Sequence, residues 1–257
     1  MNYFEAILLG LIQGLTEILP ISSSGHLVLT EYIMHLKQPG ILFELMVHFG
    51  TLLSVLVYFR KRIFMLYKSL FDSSLQTERK MIYYLIVGTI PAVIAALLFG
   101  DFFEEAFSSP IMTSIMLLST GLILLSTKLA RPRKLKLNIP RSILIGIGQA
   151  LAILPGISRS GTTISTGLFI GIKPYEAAEF SFLLSIPAIL GAIVFKFESV
   201  LSLNLDILWP YLVGTAVAFL TGLFAVYILL DLIRKGKFVY FGIYCLFAGG
   251  VGLYYFI

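Results

Sequence analysis

Charge is scarce in this chain: of 257 residues, 13% are Asp, Glu, Lys or Arg, against 58% hydrophobic. With a mean hydropathy of +0.94, that scarcity excludes an ordinary soluble domain and indicates a polytopic membrane protein. Cysteine occurs once, as Cys245, which excludes a disulfide framework and a cysteine-held metal. The N-terminus lacks a basic leader, and Gln13, Thr16 and Glu17 interrupt its apolar run. It is therefore expected to belong to the mature protein. The net charge of +5 would suit nucleic acid, but the bases fall in short loops and form no amphipathic face. No nucleic-acid partner is expected, and the charge is read as topological.

Six apolar runs are long enough to span a bilayer: Ile41–Phe59, Met81–Phe99, Ile111–Thr127, Glu176–Phe195, Trp209–Leu230 and Phe238–Phe256. Basic residues follow the first (Arg60 to Lys68, Arg79, Lys80), the third (Lys128 to Arg141) and the fifth (Arg234, Lys235, Lys237). Those loops are assigned to the cytoplasm. The alternate loops carry Asp101, Glu104 and Glu105, or Lys196, Glu198 and Asp206, and are assigned outward. Two further segments, Phe4–Leu29 and Ile143–Ile172, have polar centres and do not read as simple spans. For the loop charges to alternate, Ile143–Ile172 has to enter and leave on one side. Its arms of about a dozen residues reach roughly 18–20 Å, short of a hydrocarbon core of roughly 30 Å.

The two odd segments are copies of each other. GLIQGLTEILPISSSG (Gly10–Gly25) aligns without gaps on GIGQALAILPGISRSG (Gly146–Gly161), with seven identities in sixteen positions, Gln13/Gln149, Ser22/Ser158 and Ser24/Ser160 among them. Three spans follow each copy, so the halves are inverted. The expected fold is all-α: one membrane domain with six transmembrane helices and two re-entrant helical hairpins in inverted-topology repeats. Repeat 1 covers about 1–127, a basic cytoplasmic loop 128–141, and repeat 2 about 142–257.

The hairpin tips carry the chemistry. Ser22–Ser24 and Ser158–Ser160 are good N-cap types, so each second arm is expected to begin there with free N–H groups aimed at the centre. Two helix N-termini form an anion site, and Arg159 adds a planar fork suited to phosphate. Glu17 aligns with Ile153 and His26 with Thr162, so the first copy alone supplies groups for proton transfer or for a cation. Gln13, four residues from Glu17, shares its helix face. Glu44, His48 and Glu179 either support this site or pack without a chemical part.

At this point the residues resemble a family. QGLTEILPISSSGH (Gln13–His26), with its Q-x-x-x-E element, and PGISRSGTT (Pro155–Thr163) are similar to the two signatures of bacterial undecaprenyl-diphosphate phosphatases of the bacitracin-resistance integral membrane type. FELMVHFGTLL and AAEFSFLLSIPA match in kind and place, so the resemblance runs the length of the chain. It implies dephosphorylation of the isoprenoid lipid diphosphate released by cell-wall synthesis, with a divalent cation, Mg2+ or Ca2+, in the bacterial plasma membrane and from its outer face. It further implies that Glu17, Ser23, His26 and Arg159 are catalytic. Ser22, Ser24, Ser158, Arg159, Ser160 and Thr163 then hold phosphate, and Glu17 and Gln13 the metal. Gln13 stands where some members have glutamate, and nothing is carried over to His48. The competing expectation, from the inverted repeats, is an anion or lipid-phosphate carrier.

Overall fold

The structure, a computed structural model, describes residues 1–36, 41–131, 133–195 and 205–257. Helix is the only extended secondary structure among them, as hydrocarbon requires when every backbone polar group must be satisfied within its own segment. The helices are α1 (Tyr3–Ile18), α2 (Ser23–Ile33), α3 (Ile41–Tyr58), α4 (Arg60–Ser69), α5 (Gln76–Phe107), α6 (Pro110–Ser126), α7 (Ile139–Leu151), α8 (Arg159–Phe169), α9 (Pro174–Phe195), α10 (Leu205–Arg234) and α11 (Val239–Phe256).

Among the described residues five helices, α5, α6, α9, α10 and α11, are long and apolar enough to cross a membrane. The sixth span is α3, which bends by 76° into α4. The break sits at Phe59, where the apolar run meets Arg60, Lys61 and Arg62, and charge turns the chain off the span axis. Two of the expected spans are longer than their apolar windows: α5 begins at Gln76 and α10 ends at Arg234. Polar flanks of good helix formers continue the backbone pattern beyond the hydrocarbon stretch. Lys196 and Glu198, assigned to an outward loop, lie outside the described residues.

The two odd segments are helical hairpins. α2 and α8 hold 11 residues each, about 16 Å of helix, half the depth of a hydrocarbon core. Each pairs with its own first arm, α1 or α7. The packing is mirrored between the halves: α1 and α3 lie against α10, while α7 and α9 lie against α5, and α6 packs on α11. Glycine permits the closest approaches. A Cβ on Gly10 would collide with the carbonyl oxygen of Gly214, and one on its repeat mate Gly146 with that of Gly88. Small residues of this kind let helix backbones meet where lipid supplies no hydrophobic drive.

α9 is buried nearly all round at its middle. Phe180, Phe182, Leu183 and Leu184 are each at most 1% exposed, and they make this helix the rigid wall behind α8.

Candidate active site

Proline follows each first arm. α1 stops at Ile18, two residues before Pro20, which disfavours helix for Leu19, and α7 stops at Leu151, after which i→i+3 bonds carry the chain to Pro155. The second arms then start on matched caps. Ser22 Oγ accepts from Gly25 N at 3.2 Å and Ser158 Oγ from Gly161 N at 3.1 Å. The same hydroxyls meet Ser24 Oγ at 3.3 Å and Ser160 Oγ at 3.4 Å. Ser22 and Ser158 carbonyls accept the N–H of His26 and Thr162. The N–H groups of Ser23, Ser24, Arg159 and Ser160 are left without an acceptor among the described residues, at two helix N-termini that favour negative charge.

The tips turn differently. Gly156 takes φ +93° in the second hairpin, where its carbonyl accepts from Thr120 Oγ1 at 2.7 Å. The first hairpin has no glycine there, and Ser22 takes φ 69°, a region costly for a residue with a side chain. His26 braces that turn: its Nδ1 donates to the Ser22 carbonyl at 2.8 Å. In the neutral ring Nε2 is then an acceptor, and it takes the Tyr244 hydroxyl at 2.8 Å.

Glu17 is the hub. Only 9% exposed, it receives Arg159 Nη2 on Oε1 at 2.7 Å, and Ser23 Oγ on Oε2 at 2.5 Å. Gln13 Nε2 stands 3.4 Å and His48 Nε2 3.5 Å from the same Oε2. One carboxylate thus joins both hairpins and α3. Arg159 is held from behind by α9, whose Ser181 carbonyl accepts from Nη1 at 3.4 Å while Ser181 Oγ meets Thr163 Oγ1 at 2.6 Å. Thr120 on α6 clamps the second tip, since its hydroxyl also accepts from Ser158 N at 3.0 Å.

A cavity of about 340 Å³ lies over this group, lined by Glu17, Ser22, Ser23, Ser24, Ser158 and Arg159 from the tips and by Glu44 and His48 from α3. Its remaining wall includes Phe107 at the end of α5 and Ala188, Ile189 and Ala192 of α9. Six of the expected site residues therefore meet in one space. Four do not line it. Ser160 and Thr163 are buried and turn their hydroxyls to Leu19 O and Ser181, so those hydroxyls support α8 and do not face the cavity. His26 is directed to Tyr244, and Gln13 lies behind Glu17, fully buried.

His48, Ser181, Thr120 and Tyr244 complete the arrangement and were not singled out for it by motif. His48 carries the one available signal, a histidine one turn from Glu44 in a span. Its Nδ1 donates to the Glu44 carbonyl at 2.7 Å, which aims Nε2 at Glu17. Of the two readings left open for Glu179, the structure favours packing: it accepts from Arg62 Nε at 2.6 Å.

No group of three or more His, Cys, Asp or Glu among the described residues can hold a metal. Gln13 Oε1, however, is buried without a hydrogen-bond partner, an unsatisfied hard oxygen beside a carboxylate. Carboxylate and amide oxygens are hard donors of the type that suits a divalent cation, but Gln13 turns Nε2 to Glu17 and does not line the cavity.

A family described as bacitracin resistance protein BacA matches residues 6–251. A protein of Carboxydothermus hydrogenoformans named undecaprenyl-diphosphatase is 44% identical, over 97% of this chain and 95% of its own. Proteins of the same name from Korarchaeum cryptofilum and Salinibacter ruber are 42% and 38% identical, over 97% of both chains and 99% of both chains respectively.

Proposed function

The chain belongs to the bacitracin resistance protein BacA family, and from that premise we infer that its cavity is the place where undecaprenyl diphosphate is hydrolysed to undecaprenyl phosphate and phosphate. The protein is an undecaprenyl-diphosphatase embedded in the membrane. The observation that carries the assignment of the site is the meeting of two capped helix N-termini, Arg159, Glu17 and Ser23 over one cavity.

The diphosphate lies between the tips. Arg159 and the free N–H groups of Ser23, Ser24, Arg159 and Ser160 offset its charge, and the hydroxyls of Ser22, Ser24 and Ser158 orient its oxygens. Catalysis of this kind is positioning and charge neutralisation. Ser23 Oγ attacks the terminal phosphorus. Its proton passes to Glu17 Oε2, the acceptor it already touches, and the bond from that phosphorus to the bridging oxygen breaks, releasing undecaprenyl phosphate. Water then cleaves the phosphoserine and frees phosphate. His26 acts on this chemistry through the Ser22 turn that it braces, and His48 through the carboxylate that it faces. Glu17 and Gln13 Oε1 would hold a divalent cation, Mg2+ or Ca2+, which would supply further neutralisation of phosphate charge.

The cavity wall supports access from the outer face. Glu44, Phe107 and Ala192 sit at the ends of α3, α5 and α9 opposite those that carry Arg60–Lys68, Arg79–Lys80 and Lys173. With the basic loops cytoplasmic, the mouth opens outward, and the compartment is the bacterial plasma membrane. The test is phosphate release from undecaprenyl diphosphate by the purified protein in detergent, where no compartments exist. Cation-dependent release is expected. Its absence, with anion uptake into vesicles, would return the carrier reading.

A further inference from the structure

The reaction cavity cannot hold its substrate whole. A volume of about 340 Å³ accommodates a diphosphate and the first isoprene units, but eleven such units are attached. A second concavity is lined, like the first, by residues of α9. It measures about 510 Å³ and lies between α5 and α9, lined by Ile86, Ile90 and Val93 from the first and Leu183, Ile186 and Pro187 from the second. Ile63 and Leu66 of α4 close its far end. No charged residue lines it, and its one polar side chain, Thr89, is already satisfied by donating to the Leu85 carbonyl.

The two spaces meet neighbouring residues of α9. Pro187 faces the groove and Ala188 the cavity, about 100° apart on one helical turn. Between Ala188 and Ala192 the wall is low: a Cβ added to Gly191 would meet nothing within 4 Å.

We propose that the isoprenoid tail of the substrate leaves the reaction cavity over Ala188, Gly191 and Ala192 and lies in the α5/α9 groove; this rests on the diphosphatase reading above. A bilayer is as apolar as the groove, so burial alone gives no preference for one over the other. What the groove adds is close dispersion contact and a fixed direction for the chain, which presents the diphosphate to Ser23 and Arg159 in one orientation. The groove is therefore a chain-length reader. Long substrates use it, and a substrate of three isoprene units does not reach along it.

The experiment compares kcat/KM for undecaprenyl diphosphate and for the fifteen-carbon isoprenyl diphosphate in detergent. The proteins are the parent, Ile90→Trp, Val93→Trp, and the control Leu220→Trp, which is lipid-facing on α10 and 63% exposed. Both groove positions are also exposed, at 47% and 49%, so an indole there fills the groove without entering the core. The expected result is a loss of about tenfold or more for the long substrate in both groove variants. The short one should stay within about twofold and Leu220→Trp should match the parent. Unchanged long-chain hydrolysis overturns the proposal and leaves the groove to ordinary lipid. Equal loss for both substrates overturns it too, because the change then lies at the reaction site. A parent that releases phosphate from neither substrate removes the diphosphatase reading itself, an outcome visible before any variant is compared.

Discussion

Arg159 Nη2 lies 2.7 Å from Glu17 Oε1, and this ion pair joins the tips of two hairpins that are 142 residues apart. Both partners are largely buried, at 15% and 9% side-chain exposure, where an uncompensated charge is costly. The pair keeps the site preformed, and under the proposed mechanism a diphosphate competes with Glu17 for the guanidinium. Glu17→Gln keeps the volume and an acceptor for Arg159 but cannot take a proton from Ser23. Phosphate release should fall at least about 100-fold. Arg159→Lys should also lose about 100-fold, because an ammonium cannot serve Glu17, Ser181 and a phosphate in one plane. Initial rates at saturating substrate check both; near-parental turnover in the lysine variant would mean that charge without the fork is enough.

The hairpins and their opposed direction were legible because polar residues stand out in apolar sequence. Arg159 amid Ile157 and Ile164, and a serine triplet after a proline, are tolerated at membrane depth only where they face protein or a wet cavity. Repetition at a fixed offset then supplied the pairing. Thr120, Ser181 and Tyr244 could not be found this way. A single hydroxyl on an apolar span bonds by default to its own helix, and these three gain their meaning from partners 38, 18 and 218 residues away. The hydroxyls of Ser160 and Thr163 turn away from the cavity for a related reason. The motif names which residues are polar, but the direction each faces depends on how α8 is rotated against α9.

Ser23→Ala should lower phosphate release at least about 1,000-fold if its oxygen is the nucleophile. Retention within a few-fold of the parent would leave the attack to water.

His26 makes a separate prediction. If its part is to hold Ser22 at φ 69°, His26→Asn, which places a short amide N–H where Nδ1 stood, should recover a large part of the activity lost in His26→Ala. Equal inactivity of the two would assign the imidazole a proton-transfer role instead.

Removal of divalent cations by a chelator should bring phosphate release to background, with recovery on adding Mg2+ or Ca2+. Gln13→Ala deletes the unpartnered Oε1 beside Glu17. It should raise the cation concentration for half-maximal activity several-fold while leaving the maximum nearer the parent's. A variant with unaltered cation dependence would remove Gln13 from the metal's surroundings.

Two threonines on α6 separate packing from hydrogen bonding. Thr120 Oγ1 donates to Gly156 O and accepts from Ser158 N, so Thr120→Val leaves two buried backbone groups at the second tip unpaired. The expected cost is about 1–3 kcal/mol, read as a fall of several degrees in the thermal midpoint in detergent. KM should rise as well, because the cap that aims α8 at the substrate has lost its anchor. Thr113, two turns earlier and fully buried, has a hydroxyl with no partner among the described residues. Thr113→Val removes an unsatisfied group at nearly constant volume, so it should be neutral or stabilising. If both variants lost the same stability, the hydroxyl bonds of Thr120 would not be what holds the tip, and the clamp would have to be sought in the packing of α6 against α8.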